Sequence, residues 1–151
     1  MMKTVDIQYL DSRLGQEFPL PQFSTTGSAG LDLIACNQDA LLLKPNEVEL
    51  IPSGIALHIK DPHYAACILP RSGLGHKKGL ILGNSLGLID SDYQGIIQIS
   101  CWNRSEENIN IIPGTRIAQL IFIRVSQPLL NPVTSFQPTE RADGCFGSTG
   151  L

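Results

Sequence analysis

The chain has 151 residues, with 42% hydrophobic and 17% charged residues, enough for one domain with a real core and too apolar for wholesale disorder. Acidic residues outnumber basic ones 14 to 11, for a net charge of −3, and no Lys- or Arg-rich run occurs. A nucleic-acid duplex or an anionic membrane is therefore not an expected partner, because both need clustered cations.

A small phosphate ligand stays open, since a few arginines and backbone amides suffice for it. No apolar run approaches the ~18 residues that span a bilayer. No charged leader with an apolar core is read at the start. Cys36, Cys67, Cys101 and Cys145 form no CxxC pair, so no half of a zinc site is read. Cys36, Cys67 and Cys101 are expected as small buried hydrophobes in strands, in a cytoplasmic protein with reduced thiols.

Helix signals are almost absent, and short β-rich runs alternate with Gly, Pro, Asn and Asp. Residues 5–10 read as a strand, followed by a loop holding Pro19 and Pro21. Over 31–36, Leu31, Leu33 and Ala35 share one face, with Asp32 and Ile34 on the other. Residues 41–43 precede a turn at Lys44-Pro45-Asn46. Two strands, 48–51 and 55–59, follow, separated by Pro52 and Gly54. Residues 65–69 form a continuous apolar run, as a strand covered on both faces should. The segment 71–79 (RSGLGHKKG) is too polar for a strand and is expected as a loop or one short helical turn. Strands at 96–102 and 117–125 complete an all-β sandwich or barrel. The tail, 135–151, has no periodicity and reads as a mobile arm, although frayed termini are common.

Four constellations carry candidate chemistry. In the first, residues 83–95 (GNSLGLIDSDYQG), glycines at 83, 87 and 95 permit a tight hairpin and close approach to a ligand. Asn84 offers an amide, and Tyr93 a flat apolar face with a polar tip. Asp90 and Asp92 fall on one side if the stretch is extended, and a carboxylate in an apolar pocket can deprotonate water. The plainer alternative is a turn whose Asp and Asn side chains bond backbone amides. The second constellation is Arg71, Ser72 and Gly73, a guanidinium fork beside a small anion cradle. The third is Arg116 and Gln119 inside an apolar strand, where a buried amide needs a partner, from the protein or from a substrate. The fourth is the tail, in which Arg141 precedes Phe146-Gly147-Ser148-Thr149-Gly150, an aromatic with hydroxyls suited to folding over a nucleotide. No Walker loop occurs, Lys78 occupies the third glycine position of a partial GxGxxG, and zinc-deaminase spacing is missing.

In this order the segments resemble the five motifs of the trimeric dUTPase family. They are Ala29-Gly30-Leu31-Asp32-Leu33, Pro70-Arg71-Ser72-Gly73-Leu74-Gly75, Gly83-Asn84 with Gly87 to Gly95, Pro113-Gly114 with Arg116-Ile117-Ala118-Gln119, and Arg141 with Gly144 and Phe146 to Gly150. The resemblance implies an all-β fold, a distorted jelly-roll barrel or sandwich. It implies a homotrimer in which 1–134 form the domain and 135–151 a flexible arm closing over another subunit's site. It implies hydrolysis of dUTP to dUMP and pyrophosphate, which keeps uracil out of DNA and supplies dUMP for thymidylate.

On that pattern Asp90 activates the water that attacks the α-phosphorus, and Gln119 helps place it. Arg71, Ser72 and Gly73 bind the triphosphate, Asn84 pairs with uracil, and Tyr93 packs under the deoxyribose. Asp32 holds waters of a Mg2+ ion. Phe146 covers the base, Arg141, Ser148 and Thr149 reach the terminal phosphates, and Gly147 is a further substrate-binding residue. The family's arm carries glycines where Ala142 and Cys145 stand here. If position 145 needs a left-handed backbone, cysteine there costs on the order of 1–2 kcal/mol. Two rivals are a dCTP deaminase of the same fold, which needs a glutamate, and a catalytically silent nucleotide-binding jelly roll.

Overall fold

The computed structural model describes residues 4–140 and Asp143. Among them are ten strands and one helix: β1 (Asp6–Tyr9), β2 (Gly30–Ile34), β3 (Leu41–Leu43), β4 (Val48–His58), β5 (Tyr64–Pro70), α1 (Ser72–Lys78), β6 (Leu80–Leu82), β7 (Gly87–Ile89), β8 (Ile96–Asn103), β9 (Ile109–Ile111) and β10 (Arg116–Arg124). They build two open four-stranded sheets, ordered β1-β4-β8-β6 and β2-β10-β5-β7, with β3-β9 as a separate two-stranded sheet. The named strand pairs are all antiparallel. The result is a jelly-roll sandwich, with no closed barrel among the described strands.

Side-chain alternation explains the layering. Along β8, Ile97, Ile99, Cys101 and Asn103 turn inward while their neighbours face out. Ile97, Ile99 and Cys101 meet Leu33 and Ile34 of β2, Ala66 and Ile68 of β5, and Ile117, Ala118 and Leu120 of β10 in one core. The continuous run on β5 is buried at Ala65, Ala66, Cys67 and Ile68, as expected for an inner strand between β10 and β7. Cys36, Cys67 and Cys101 are buried free thiols, Cys36 just beyond the end of β2; Cys145 lies outside the described residues.

Three sequence expectations need correction. Residues 48–51 and 55–59 are not two strands: β4 runs unbroken from Val48 to His58. The chain absorbs Pro52 and Gly54 at a register shift between Pro52 and Ala56, with Gly54 in the left-handed region at φ 73°. The carbonyls released there are satisfied by Cys36 N–H (2.8 Å, to Pro52) and Leu10 N–H (2.7 Å, to Gly54). In the segment 71–79 the helical alternative holds, but the helix runs for seven residues, Ser72–Lys78, rather than one turn, and is ended by Gly79 at φ 73°. Finally, β6, β7 and β9 were not read from the sequence, because three-residue strands carry no measurable period.

Candidate functional site

Antiparallel register places Asp32 of β2 opposite Gln119 of β10, and Gln119 opposite Leu69 of β5. Arg71, in extended conformation between β5 and α1, therefore stands beside both polar residues. Its Nε donates to Asp32 Oδ1 at 2.9 Å, and Arg116 Nη1 faces Asp32 Oδ2 at 3.4 Å. Arg71 Nη1 also reaches the Arg116 carbonyl at 3.3 Å. Gln119 donates from Nε2 to the Pro70 carbonyl at 3.0 Å, so the half-buried amide is only partly spent on the protein. Its Oε1 lies over Gly30, where a Cβ would stand 3.3 Å from it. Glycine at position 30 thus leaves the acceptor free to face a ligand. Asp32, Arg71, Ser72, Gly73 and Gln119, with Leu74, Lys77 and Lys78, line one cavity of about 440 Å³. It is mainly cationic, with amide and hydroxyl groups added, and so suits a phosphate chain.

The hairpin candidates lie elsewhere. β7 pairs with β5, and Gly87 sits opposite Ile68, where a Cβ would come within 3.1 Å. Directly after β7, Asp90 opens a turn closed by Tyr93 N–H on its carbonyl at 3.3 Å, with Ser91 O tied to Lys60 N–H at 2.9 Å. The expected extended stretch with Asp90 and Asp92 on one side does not form. Asp92 falls within the turn, and both carboxylates are exposed. Tyr93 Oη donates to the Ile96 carbonyl at 3.0 Å, and its ring crosses Gly95 so closely that a Cβ would meet Cζ at 2.7 Å. Asp90 and Tyr93 share a cavity of about 260 Å³ with Leu88, Ile89, Ile96, Ile97 and Gln98, a carboxylate at the edge of an apolar cleft. Asn84 sits exposed in the β6–β7 turn, outside both linings.

One chain thus holds two cavities with no lining residue in common, one lined by Arg71, Lys77 and Lys78 around Asp32 and the other by Asp90 among apolar side chains. Arg141, Phe146, Gly147, Ser148 and Thr149 lie outside the described residues. Lys77 and Lys78, which sequence reasoning left unassigned, line the cationic cavity. Their signal was the spacing from Gly73 and Leu74, four residues earlier in the RSGLGHKKG run, once that run is known to be helical.

The fold and the cationic cavity together define a jelly-roll protein with a surface suited to a phosphate-bearing ligand. Similarity to known proteins narrows this class. The chain belongs to the dUTPase family, whose model matches residues 16–150. It is 56% identical over 149 residues, 99% of each chain, to the deoxyuridine 5'-triphosphate nucleotidohydrolase of Psychromonas ingrahamii. It is 57% identical over 150 residues, again 99% of each, to that of Escherichia coli O1:K1. Among solved structures, a mutant dUTPase of Staphylococcus bacteriophage 80alpha with dUpNHpp superposes with TM-score 0.83 at 25% identity. That match covers 98% of this chain and 99% of the phage protein.

Proposed function

We propose that the chain hydrolyses dUTP to dUMP and pyrophosphate at sites assembled between subunits of a homotrimer. The observation that carries the assembly is the separation of Asp90 and Tyr93 from Asp32, Arg71 and Gln119 into two open cavities of one chain. Each is a half-site, and the facing surface of another copy supplies what it lacks. In this reading Arg71, Ser72 and Gly73 hold the triphosphate, and Tyr93 carries the deoxyribose on its ring. Asn84 and the hairpin backbone pair with uracil. Asp90 takes one proton from water as its oxygen bonds to the α-phosphorus; the bond from that phosphorus to the bridging oxygen breaks and pyrophosphate leaves. Gln119 orients the water through its unspent Oε1. Residues 1–134 form the catalytic domain. The segment 135–151 is an arm that brings Arg141, Phe146, Gly147, Ser148 and Thr149 to a neighbouring subunit's nucleotide.

Among the described residues no three His, Cys, Asp or Glu side chains gather as a cation cage. Asp32 is a single carboxylate facing two guanidiniums. This donor set fits Mg2+ held by phosphate oxygens and water, with Asp32 accepting from those waters. When bound, the ion neutralises charge on the leaving pyrophosphate. No helix among the described residues is long and apolar enough to cross a membrane. The free thiols Cys36, Cys67 and Cys101 suit the reducing cytoplasm we assign to the protein.

The test is Asp90→Asn. It keeps the size of the side chain and removes the base, so nucleotide binding persists while kcat falls about 10²–10⁴-fold. Near-normal turnover removes Asp90 from the role. Assaying the parent with dUTP and dCTP separates the rivals. Pyrophosphate from dUTP supports the proposal, ammonia from dCTP supports a deaminase, and neither product supports a silent binder.

A further inference from the structure

We propose that Lys77 and Lys78 are binding residues for the phosphate chain of the substrate and for released pyrophosphate. The inference deepens the dUTP reading and rests on it for the identity of the nucleotide. The charge balance of the cationic cavity motivates it. Arg71, which lines the cavity, and Arg116, which stands outside its lining, both face the same carboxylate, Asp32, so part of their charge is already neutralised within the chain. A triphosphate brings several negative charges. Lys77 and Lys78 are further cations lining that cavity, and among the described residues neither forms an ion pair.

The helix aims them there. Positions four apart share a face, so Lys77 follows Gly73 and Lys78 follows Leu74. Leu74 packs against the core, and Gly75 is pressed near Ile81, which fixes the roll of α1. Above Gly73 a Cβ would meet nothing within 4 Å, which leaves room between Ser72 and Lys77 for a ligand. Lysine suits this place, because a hydrated point charge on a flexible stem follows an anion as it is bound, cleaved and released.

The alternative duty for basic residues in a last helical turn is to complement the helix dipole, a matter of stability alone. Leu74, Lys77 and Lys78 also wall a neighbouring cavity of about 500 Å³ that holds Glu107, the other direction in which the ammonium groups could lean.

Full-length Lys77→Gln, Lys78→Gln and the double variant separate these duties. Steady-state dUTP hydrolysis is measured across a salt series, and inorganic pyrophosphate is titrated by calorimetry. In the double variant we expect KM for dUTP and Kd for pyrophosphate to rise about three- to tenfold, with kcat changed far less and a shallower fall of kcat/KM with salt. The Lys→Arg pair restores both constants. Unchanged KM and unchanged pyrophosphate affinity, whatever happens to Tm, overturn the proposal. If the parent does not turn over dUTP, the functional reading fails, and the pyrophosphate titration still decides the lysines.

Discussion

Asp11 shows how much a single side chain contributes to this fold. Arg13 donates to it from Nε at 2.9 Å and from Nη2 at 2.6 Å, while also holding the carbonyls of Cys36 and Asn37. This guanidinium pair ties the loop after β1 to the end of β2. The hydrogen bonds from Arg13 hold the Asp11 carboxyl down to about 2, from an ordinary 3.8. A depressed folded-state value means stability that is fully present above the unfolded value and lost as pH falls through the folded one. The window therefore lies between 3.8 and about 2. Asp11→Asn should cost about 1.5–3 kcal/mol near neutral pH. The gap from the parent should close as pH drops through that window. Urea midpoints of both proteins between neutral pH and strong acid check it, and a gap that persists in strong acid would locate the loss in packing rather than charge. The neighbouring Cys36 thiol is pushed up to about 11 by burial, and Cys101 to about 12. Both stay protonated thiols, as their reading as small hydrophobes requires.

At the scale of elements, Gly54 decides whether β4 is one strand or two. Its φ is 73°, and a Cβ there would meet Cys36 Sγ at 2.6 Å and Asp11 Cβ at 3.0 Å. Gly54→Ala combines left-handed strain with overpacking against the same Asp11–Cys36 junction. It should destabilise the protein by about 2–4 kcal/mol, read as a lowered Tm; a shift below about 0.5 kcal/mol would mean the bulge relaxes freely. The same residue marks the limit of sequence reading. Pro52 and Gly54 look like a strand break, because local chemistry does not reveal that Leu10 and Cys36 capture the freed carbonyls. Long periodic strands such as β8 and β10 were readable to within a residue or so, since a half-buried face imposes its own period. The short β6, β7 and β9 exist because β8, β5 and β3 offer them edges, and that information is nonlocal. The site divides similarly. Residue types and order singled out Asp32, Arg71, Asp90 and Gln119 as candidates, whereas the placement of Lys77 and Lys78 beside Arg71 depends on the RSGLGHKKG run being helical.

Considered whole, the single chain leaves apolar surface that an isolated molecule has no use for. Leu129 is 98% exposed, Leu130 90% and Phe136 91%, all beyond the last strand of the sandwich. Leu50, Val48 and Leu88 are exposed on the sheets as well. In the proposed homotrimer such surfaces would be covered by other copies, and the carboxylate of one copy would meet the guanidiniums of the next. Native mass should give three chains per particle, and removal of residues 141–151 should abolish turnover while preserving that mass. Subunit mixing probes the division of the site directly. Asp90→Asn and Arg71→Gln should each be nearly inactive alone. Unfolded together in equal amounts and refolded, they assemble at random. An intersubunit site is then whole only where Asp90 from one variant meets Arg71 from the other. About a quarter of the parent activity should return if each site draws these two residues from different chains of a symmetric ring. If both residues served a site within one chain, every mixed particle would inherit one defect per site, and the mixture would stay as inactive as its components.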